Sequence, residues 1–246
     1  MYISVVSHGH GKIISRLDTL SMLSKEHTII LTDNVGEKEL ENYCLRNGIY
    51  YILNEIPKGF GENNNQNYQY AEENFQIMSH DYFLVMNPDV KITSESLAEA
   101  ERIMAINNSE LATINLYKNE SELDANIRKF PKILDFINSY LYRKNNTIID
   151  KKLITENCYV DWASGSFLIF KSKLYKEISG FDTNFFMYCE DLDICRRALT
   201  QAKQKVFYIG NVEAMHLAAH NNRKLFSKHF IWHVKSVLRY GFLTKY

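Results

Sequence analysis

Short apolar runs alternate with segments of helical period through the first 117 residues, and no other feature narrows the fold as far. "YISVV", "HTIILT", "IYYIL", "DYFLVM" and "LATINL" have the length and β-branched or aromatic content of buried strands. Between them lie helical patterns from Lys12 to about Leu23, in "EKELENYCLRN" closed by Gly48, around Tyr68 to Met78, and in "SESLAEAERIMAI". Strand and helix in alternation predict an α/β fold with a mostly parallel sheet and helices on both faces. Ligands of such sheets bind beyond the carboxyl ends of the strands. The positions to watch are therefore His8 to Gly11, Asp33 and Asn34, Pro57 to Asn65, and Asn87 to Asp89.

The second half is less regular. A helix is expected from about Lys132 to Tyr142, a turn entering a strand in "VDWASGSFLIF", a helix in "EDLDICRRALTQA", and a strand in "KVFYI". The last segment, about Arg223 to Tyr240, reads as a helix with Phe226, Phe230, Val234, Val237 and Leu238 on one face. With no repeat, linker or low-complexity tract, one continuous domain over 1–246 is expected. Lys plus Arg equals Asp plus Glu at 29 each, so charge gives no support to a nucleic-acid partner. No acidic residue follows Glu213, however, and the C-terminus is locally basic. Cys44, Cys158, Cys189 and Cys195 form no CxxC pair and read as buried, reduced thiols. The N-terminus runs directly into a strand-like segment without a leader pattern, and no apolar run nears the roughly 20 residues of a spanning helix.

Several clusters carry oxygen or imidazole groups suited to chemistry. In "LVMNPDV" a strand delivers Asn87 and Asp89 to its end; such a pair either faces a hard cation, Mg²⁺ or Mn²⁺, or is a plain turn. "PKGFGENNNQNY" reads as a loop that approaches a ligand, or as a flexible one, and fits neither phosphate-loop nor dinucleotide spacing. Asp33 either accepts a base N–H or caps the next helix. Trp162 beside Ser164-Gly165-Ser166 either stacks on a sugar or belongs to the core. His216 and His220 suit a metal if they share a helix, or are structural. "MYCEDLDICRR" packs Glu190, Asp191 and Asp193 at a helix start, with Asp193 and Arg197 at i,i+4. The aromatic "FDTNFFMY" before it offers an apolar wall that raises a carboxylate's pKa toward that of a general base.

Taken in order, "SHGH", Asp33, "GFGENNN", "NPD", "WASGSF", "GFDTNFFMYCEDLDICRR" and a later His resemble the family-2 glycosyltransferases of the GT-A fold, a Rossmann-like nucleotide-diphospho-sugar transferase architecture. "RKFP", "DWASGSF" and "HNNRKLFSKHFIWHVKS" are similar to the bacterial O-antigen rhamnosyltransferases that act on GlcNAc-diphosphoryl-polyprenol. The resemblance implies a single GT-A domain: a nucleotide-sugar-binding half at 1–116, an acceptor and catalytic half at 117–222, and a basic amphipathic helix at 223–246. It implies inverting transfer of L-rhamnose from dTDP-L-rhamnose. Asp191 would be the base and Glu190 would orient the acceptor. His8, Asp33, Gly59, Phe60, Gly61, Asn64, Asn87 and Asp89 would line the donor site, and Trp162, Ser164 and Gly165 the acceptor site. Asp89 and His216 would hold a divalent metal, with Asn87 standing where the family often has a first Asp. The basic C-terminal helix would lie on the cytoplasmic face of the plasma membrane, where a lipid-linked acceptor resides. Rival readings are transfer from another nucleotide sugar, a sugar nucleotidyltransferase, for which "SHGHGKIISR" is a poor phosphate loop, and a non-catalytic binding protein.

Overall fold

The computed structural model of the chain describes residues 1–132, 135–136, 145–217 and 228–243. The first half holds β1 (Tyr2–Ser7), α1 (Gly11–Leu17), α2 (Thr19–Leu23), β2 (Thr28–Asp33), α3 (Lys38–Arg46), β3 (Tyr50–Leu53), α4 (Phe60–Phe75), β4 (Tyr82–Met86), β5 (Val90–Lys91), α5 (Ser94–Ile106) and β6 (Leu111–Tyr117). The second holds β7 (Ile127–Arg128), β8 (Cys158–Val160), β9 (Trp162–Ala163), β10 (Phe167–Lys171), α6 (Ser172–Glu177), α7 (Glu190–Ala202), β11 (Val206–His216) and α8 (Lys228–Leu243). Most of the helix expected at Lys132–Tyr142 lies outside the described residues, as do Arg223 to Ser227 of the C-terminal one.

The main sheet runs β3-β2-β1-β4-β10-β6-β11-β5, with β8 paired to β11. β1 to β4 are mutually parallel, and β11 is parallel to β6. β10 runs against both β4 and β6, so β6 and β11 point the same way as the first four strands. The expected mostly parallel α/β sheet is therefore present. Alternation along each strand divides the core: Leu84 and Met86 pack on one face with Ile3, Val5 and Leu31, while Phe83 and Val85 pack on the other with Leu168 and Phe170. β7 and β9 form a separate two-stranded ribbon at the end of the sheet.

Two local expectations are corrected. The Lys12–Leu23 helix breaks at Asp18, whose φ of 54° is left-handed. "GFGENNNQNY" is not a loop: Gly59 sits in extended conformation and α4 begins at Phe60. The reason is polar pairing in the core. Ser4 and Thr32 interrupt otherwise apolar strands and are fully buried, so each requires a partner. Asn64 accepts from Ser4 Oγ at 2.6 Å, and Asn67 donates to Ser4 Oγ at 2.8 Å while accepting from Thr32 Oγ1 at 2.5 Å. Asn63 accepts from Asn54 at 2.6 Å. The asparagines thus fasten a helix to the sheet, and Asn64 has no exposed face for a donor.

The glycines flanking Phe60 serve packing. A Cβ on Gly59 would lie 2.5 Å from the Phe186 carbonyl oxygen, and one on Gly61 would lie 2.6 Å from Phe181 Cβ. Alanine is favoured over glycine in a helix by about 1 kcal/mol, but overpacking costs about 1–3 kcal/mol. Gly61→Ala is therefore expected to destabilise the protein, read as a lower urea midpoint; a raised midpoint would contradict this packing.

Candidate active site

β5 folds back antiparallel on the end of β11, setting Val90 opposite His216, and Leu217 N donates to Asp89 O at 3.1 Å. This pairing puts the side chains of Asp89 and His216 together at the carboxyl end of the sheet. Asp89 Oδ1 lies 3.3 Å from His216 Nε2, and Asn87 Nδ2 is 3.2 Å from the same nitrogen. On the other side of the ring, His216 Nδ1 is 2.7 Å from Asp124 Oδ2. His216 is the last residue of β11, so the helical i,i+4 spacing with His220 does not apply; His220 lies outside the described residues. Asp124 was not singled out by sequence, because it stands far along the chain in a polar stretch with no motif around it.

Burial alone would lower the pKa of His216, but the hydrogen bonds and charges of Asp124 and Asp89 outweigh it and raise it to about 9. Asp124 is also buried, yet His216 holds its pKa below the usual range. A histidine with a folded pKa above the unfolded one contributes stability that is complete below the unfolded pKa of about 6.5 and vanishes as pH rises through the folded value. In metal-free protein, unfolding free energy is expected to fall by up to about 3 kcal/mol between about pH 6.5 and 9.5 relative to His216→Gln. Urea titrations of both proteins across that window check it; parallel curves would contradict it.

Among the described residues, no three His, Cys, Asp or Glu groups form a closed metal cage. The donor set instead fits an open site. Magnesium-like cations are commonly held by one or two carboxylates, with substrate phosphates completing the shell. Asp89 is the carboxylate that such a site would use, and His216 Nε2, paired with its Oδ1 at 3.3 Å, is the nitrogen that would join it.

The second centre lies at the start of α7. Tyr188 and Cys189, at φ 71° and 64°, are consecutive left-handed residues that swing the chain into the helix. Phe181 and Phe185 bury beneath this turn. Asp191 is half-buried; its Oδ2 accepts from Gly165 N at 3.1 Å and its Oδ1 from Leu192 N at 2.8 Å. Burial raises its pKa against the lowering by those N–H groups and by the charge of Arg128. Glu190 is buried, its Oε2 has no hydrogen-bond partner, and burial together with the Asp191 charge raises its pKa well above the usual carboxylate range. Glu190 is thus favoured as the neutral acid, and its burial leaves little surface for orienting an acceptor. Asp193 and Arg197 form the expected brace at 2.7 Å.

One turn ties the two centres together. Asn87 N donates to Ser166 O at 2.9 Å, while Gly165 N holds Asp191. Ser164 Oγ and Ser166 Oγ are 2.5 Å apart, and a Cβ on Gly165 would strike Phe60 at 2.9 Å. Phe60, placed by its N–H bond to Phe186 O at 3.2 Å, therefore borders Asp191. His8 is exposed beside Asn34 at 3.3 Å, and His10 lies within electrostatic range of Asp89.

Two expected ligand contacts are otherwise engaged. Asp33 is fully buried; it accepts from the backbone N–H groups of Val35, Gly36 and Glu37, and from Tyr51 OH at 2.8 Å. Four donors satisfy a carboxylate's accepting capacity, so Asp33 organises the turn into α3 and not a base. Trp162 is buried in β9, donates from Nε1 to Lys129 O at 2.9 Å, and has the Arg128 guanidinium 5.3 Å from its ring centroid. Its core role prevails over sugar stacking. Arg128, lying between Trp162 and the charge of Asp191, is a site residue that "RKFP" contained but sequence reasoning did not single out.

No family model matches the chain. It is 36% identical over 244 residues to the rhamnosyltransferase WbbL of Escherichia coli K12, covering 98% of this chain and 92% of that one. It is 35% identical over 77 residues to the N-acetylglucosaminyl-diphospho-decaprenol L-rhamnosyltransferase of Mycobacterium tuberculosis, 31% of this chain and 25% of that one. Among solved structures, the mannosyltransferase PcManGT of Pyrobaculum calidifontis with GDP-Man and Mn²⁺ superposes at a TM-score of 0.61 and 11% identity, over 100% of this chain and 64% of that one. GalNAc-T7 with UDP, GalNAc and Mn²⁺ gives 0.60 at 14% identity, over 87% and 43%. The chain thus spans less than two thirds of these structural neighbours. They establish the fold as GT-A.

Proposed function

We infer the reaction from one premise: the chain belongs to the family-2 glycosyltransferases of GT-A fold, among their bacterial rhamnosyltransferases. It is a glycosyltransferase. The specific reading is inverting transfer of L-rhamnose from dTDP-L-rhamnose to a GlcNAc-diphosphoryl-polyprenol in O-antigen or related polysaccharide synthesis, by one catalytic domain. Asp191 takes the proton of the acceptor hydroxyl as its oxygen bonds to the anomeric carbon and the bond to the diphosphate breaks. The N–H groups of Gly165 and Leu192 aim that carboxylate. A divalent cation at Asp89 and His216 would offset the charge of the leaving diphosphate. His8, Asn87 and Phe60 border the donor, and Ser164 and Gly165 the acceptor.

One observation carries the mechanism: Gly165 and Ser166, neighbours in a single turn, hold the base on one side and Asn87 on the other. Proton acceptance and diphosphate release thus share one mount, while burial and the Asp191 charge favour the neutral acid at Glu190 over a second base. A panel of dTDP-rhamnose, UDP-hexoses and GDP-sugars against a synthetic GlcNAc-diphosphoryl-lipid tests the reading. Transfer confined to dTDP-rhamnose supports it, and preference for another donor refutes the sugar assignment.

The membrane reading rests on α8. Val234, Lys235 and Leu238 are exposed along this helix, while Ser236 and Tyr240 are buried against the domain. Among the described residues no helix is long and apolar enough to cross a membrane. A basic helix with apolar residues outward suits peripheral attachment to anionic lipid at the cytoplasmic face. Co-sedimentation with anionic and not with neutral vesicles is the expected result.

A further inference from the structure

We propose that Asp124 is a positioning residue for the cation site, holding His216 in the ring orientation and tautomer that present Nε2 to Asp89. The inference rests on the reading above that Asp89 and His216 face a cation.

A neutral imidazole carries one N–H. When a carboxylate takes Nδ1–H, the lone pair resides on Nε2; without that acceptor, Nε2–H can instead bond Asp89, and the nitrogen no longer offers electrons. The 2.7 Å contact from Asp124 Oδ2 keeps a proton on Nδ1, so the nitrogen left to meet a cation, and to give up its proton to it, is Nε2. Nε2 then faces both Asp89 Oδ1 at 3.3 Å and Asn87 Nδ2 at 3.2 Å.

Backbone pairing fixes where Asp124 stands. Residues 117–124 form a tight excursion from the end of β6, which is parallel to β11 and pairs Tyr117 with Met215, the neighbour of His216. Tyr117 bridges Leu123, and Asp124 N donates to Leu116 O at 2.8 Å. The same carbonyl accepts from the buried Lys151 Nζ at 3.1 Å, which also donates to Asn115 Oδ1 at 3.1 Å. Asp124 and His216 are 15% and 10% exposed at their side chains, so water competes weakly for either. A carboxylate–histidine pair of this kind is worth about 10–100-fold in metal affinity where it supports a ligand.

The test is Mn²⁺ binding, followed by electron paramagnetic resonance, to full-length protein saturated with dTDP, alongside dTDP binding in EDTA. Asp124→Ala is expected to weaken Mn²⁺ about 10–100-fold, leaving dTDP affinity in EDTA unchanged. Asp124→Asn, which keeps the volume and an acceptor oxygen but not the charge, is expected to fall between Ala and wild type. A merely structural role would lower the thermal midpoint without this selective loss. Unchanged Mn²⁺ affinity in Asp124→Ala, with His216→Ala impaired, overturns the positioning role and leaves the cation site standing. If the alanine variant does not fold, unchanged affinity in Asp124→Asn overturns it equally. Wild-type protein that binds Mn²⁺ no better than Asp89→Ala overturns the cation reading and this inference with it.

Discussion

Replacing Asp191 by asparagine is expected to lower kcat by about 10²- to 10⁴-fold while donor affinity stays within a few-fold of wild type. The amide keeps the size of the side chain and one of its two acceptor oxygens, so it retains the bond from Gly165 or from Leu192 but not both, and it loses proton acceptance. Glu190→Gln supplies the contrast. Since burial and the Asp191 charge favour the neutral acid at Glu190, an amide of equal size is expected to change kcat far less. Equal losses in the two variants, measured with saturating donor and acceptor, would remove the distinction between base and neighbour.

The largest effect on stability is expected at Arg197. Its Nε meets Asp193 at 2.7 Å, its Nη2 donates to Gly180 O at 2.7 Å, and its Nη1 donates to Ile178 O. Arg197→Met leaves the buried Asp193 charge without its partner and two carbonyls without donors, a loss of about 3–5 kcal/mol. Arg197→Lys keeps the charge but cannot span three acceptors, so an intermediate loss is expected. Urea unfolding reads both; a loss under about 1 kcal/mol for the methionine variant would mark the pair as a surface bridge. The damage should extend to the site. The carbonyls at 178 and 180 precede Phe181, which packs on Gly61, and Phe186, whose carbonyl accepts from Phe60 N. From the other side, α8 clamps this segment through Ser236 Oγ to Met187 O at 2.9 Å and Arg239 to Asp182 at 2.8 Å.

What the sequence allowed to be read follows the physics of each signal. Strands β1, β2, β4 and β6 and helices α3, α5 and α7 are local patterns of apolar periodicity, and they appear where that periodicity predicts them. The asparagine run of α4 misleads because composition favours a loop there. The corrective signal lay in Ser4 and Thr32: polar residues inside buried strands need partners, and α4 supplies them. β11 is longer than its apolar run, which stops at Gly210, because pairing with β6 and β5 carries the strand on to His216. Asp89, Asp191 and His216 were legible as candidates, since each stands near an element end. Their support was not. Asp124 and Arg128 reach the site from an irregular stretch, and only the tertiary fold brings Asp124 to His216 or Arg128 to Asp191. Asp33 illustrates the converse: its position suggested base recognition, and the close backbone donors that occupy it come from a turn whose geometry the sequence does not display.

The stereochemistry of the product tests the central claim most directly. With dTDP-β-L-rhamnose and a synthetic GlcNAc-diphosphoryl-lipid, a single displacement assisted by one base at Asp191 yields an α-linked rhamnoside, identified by the anomeric coupling in the NMR spectrum of the product. Formation of that α-linked disaccharide by wild-type protein and its disappearance in Asp191→Asn is the result expected. A β-linked product, or rhamnosyl transfer undiminished in Asp191→Asn, would contradict the account.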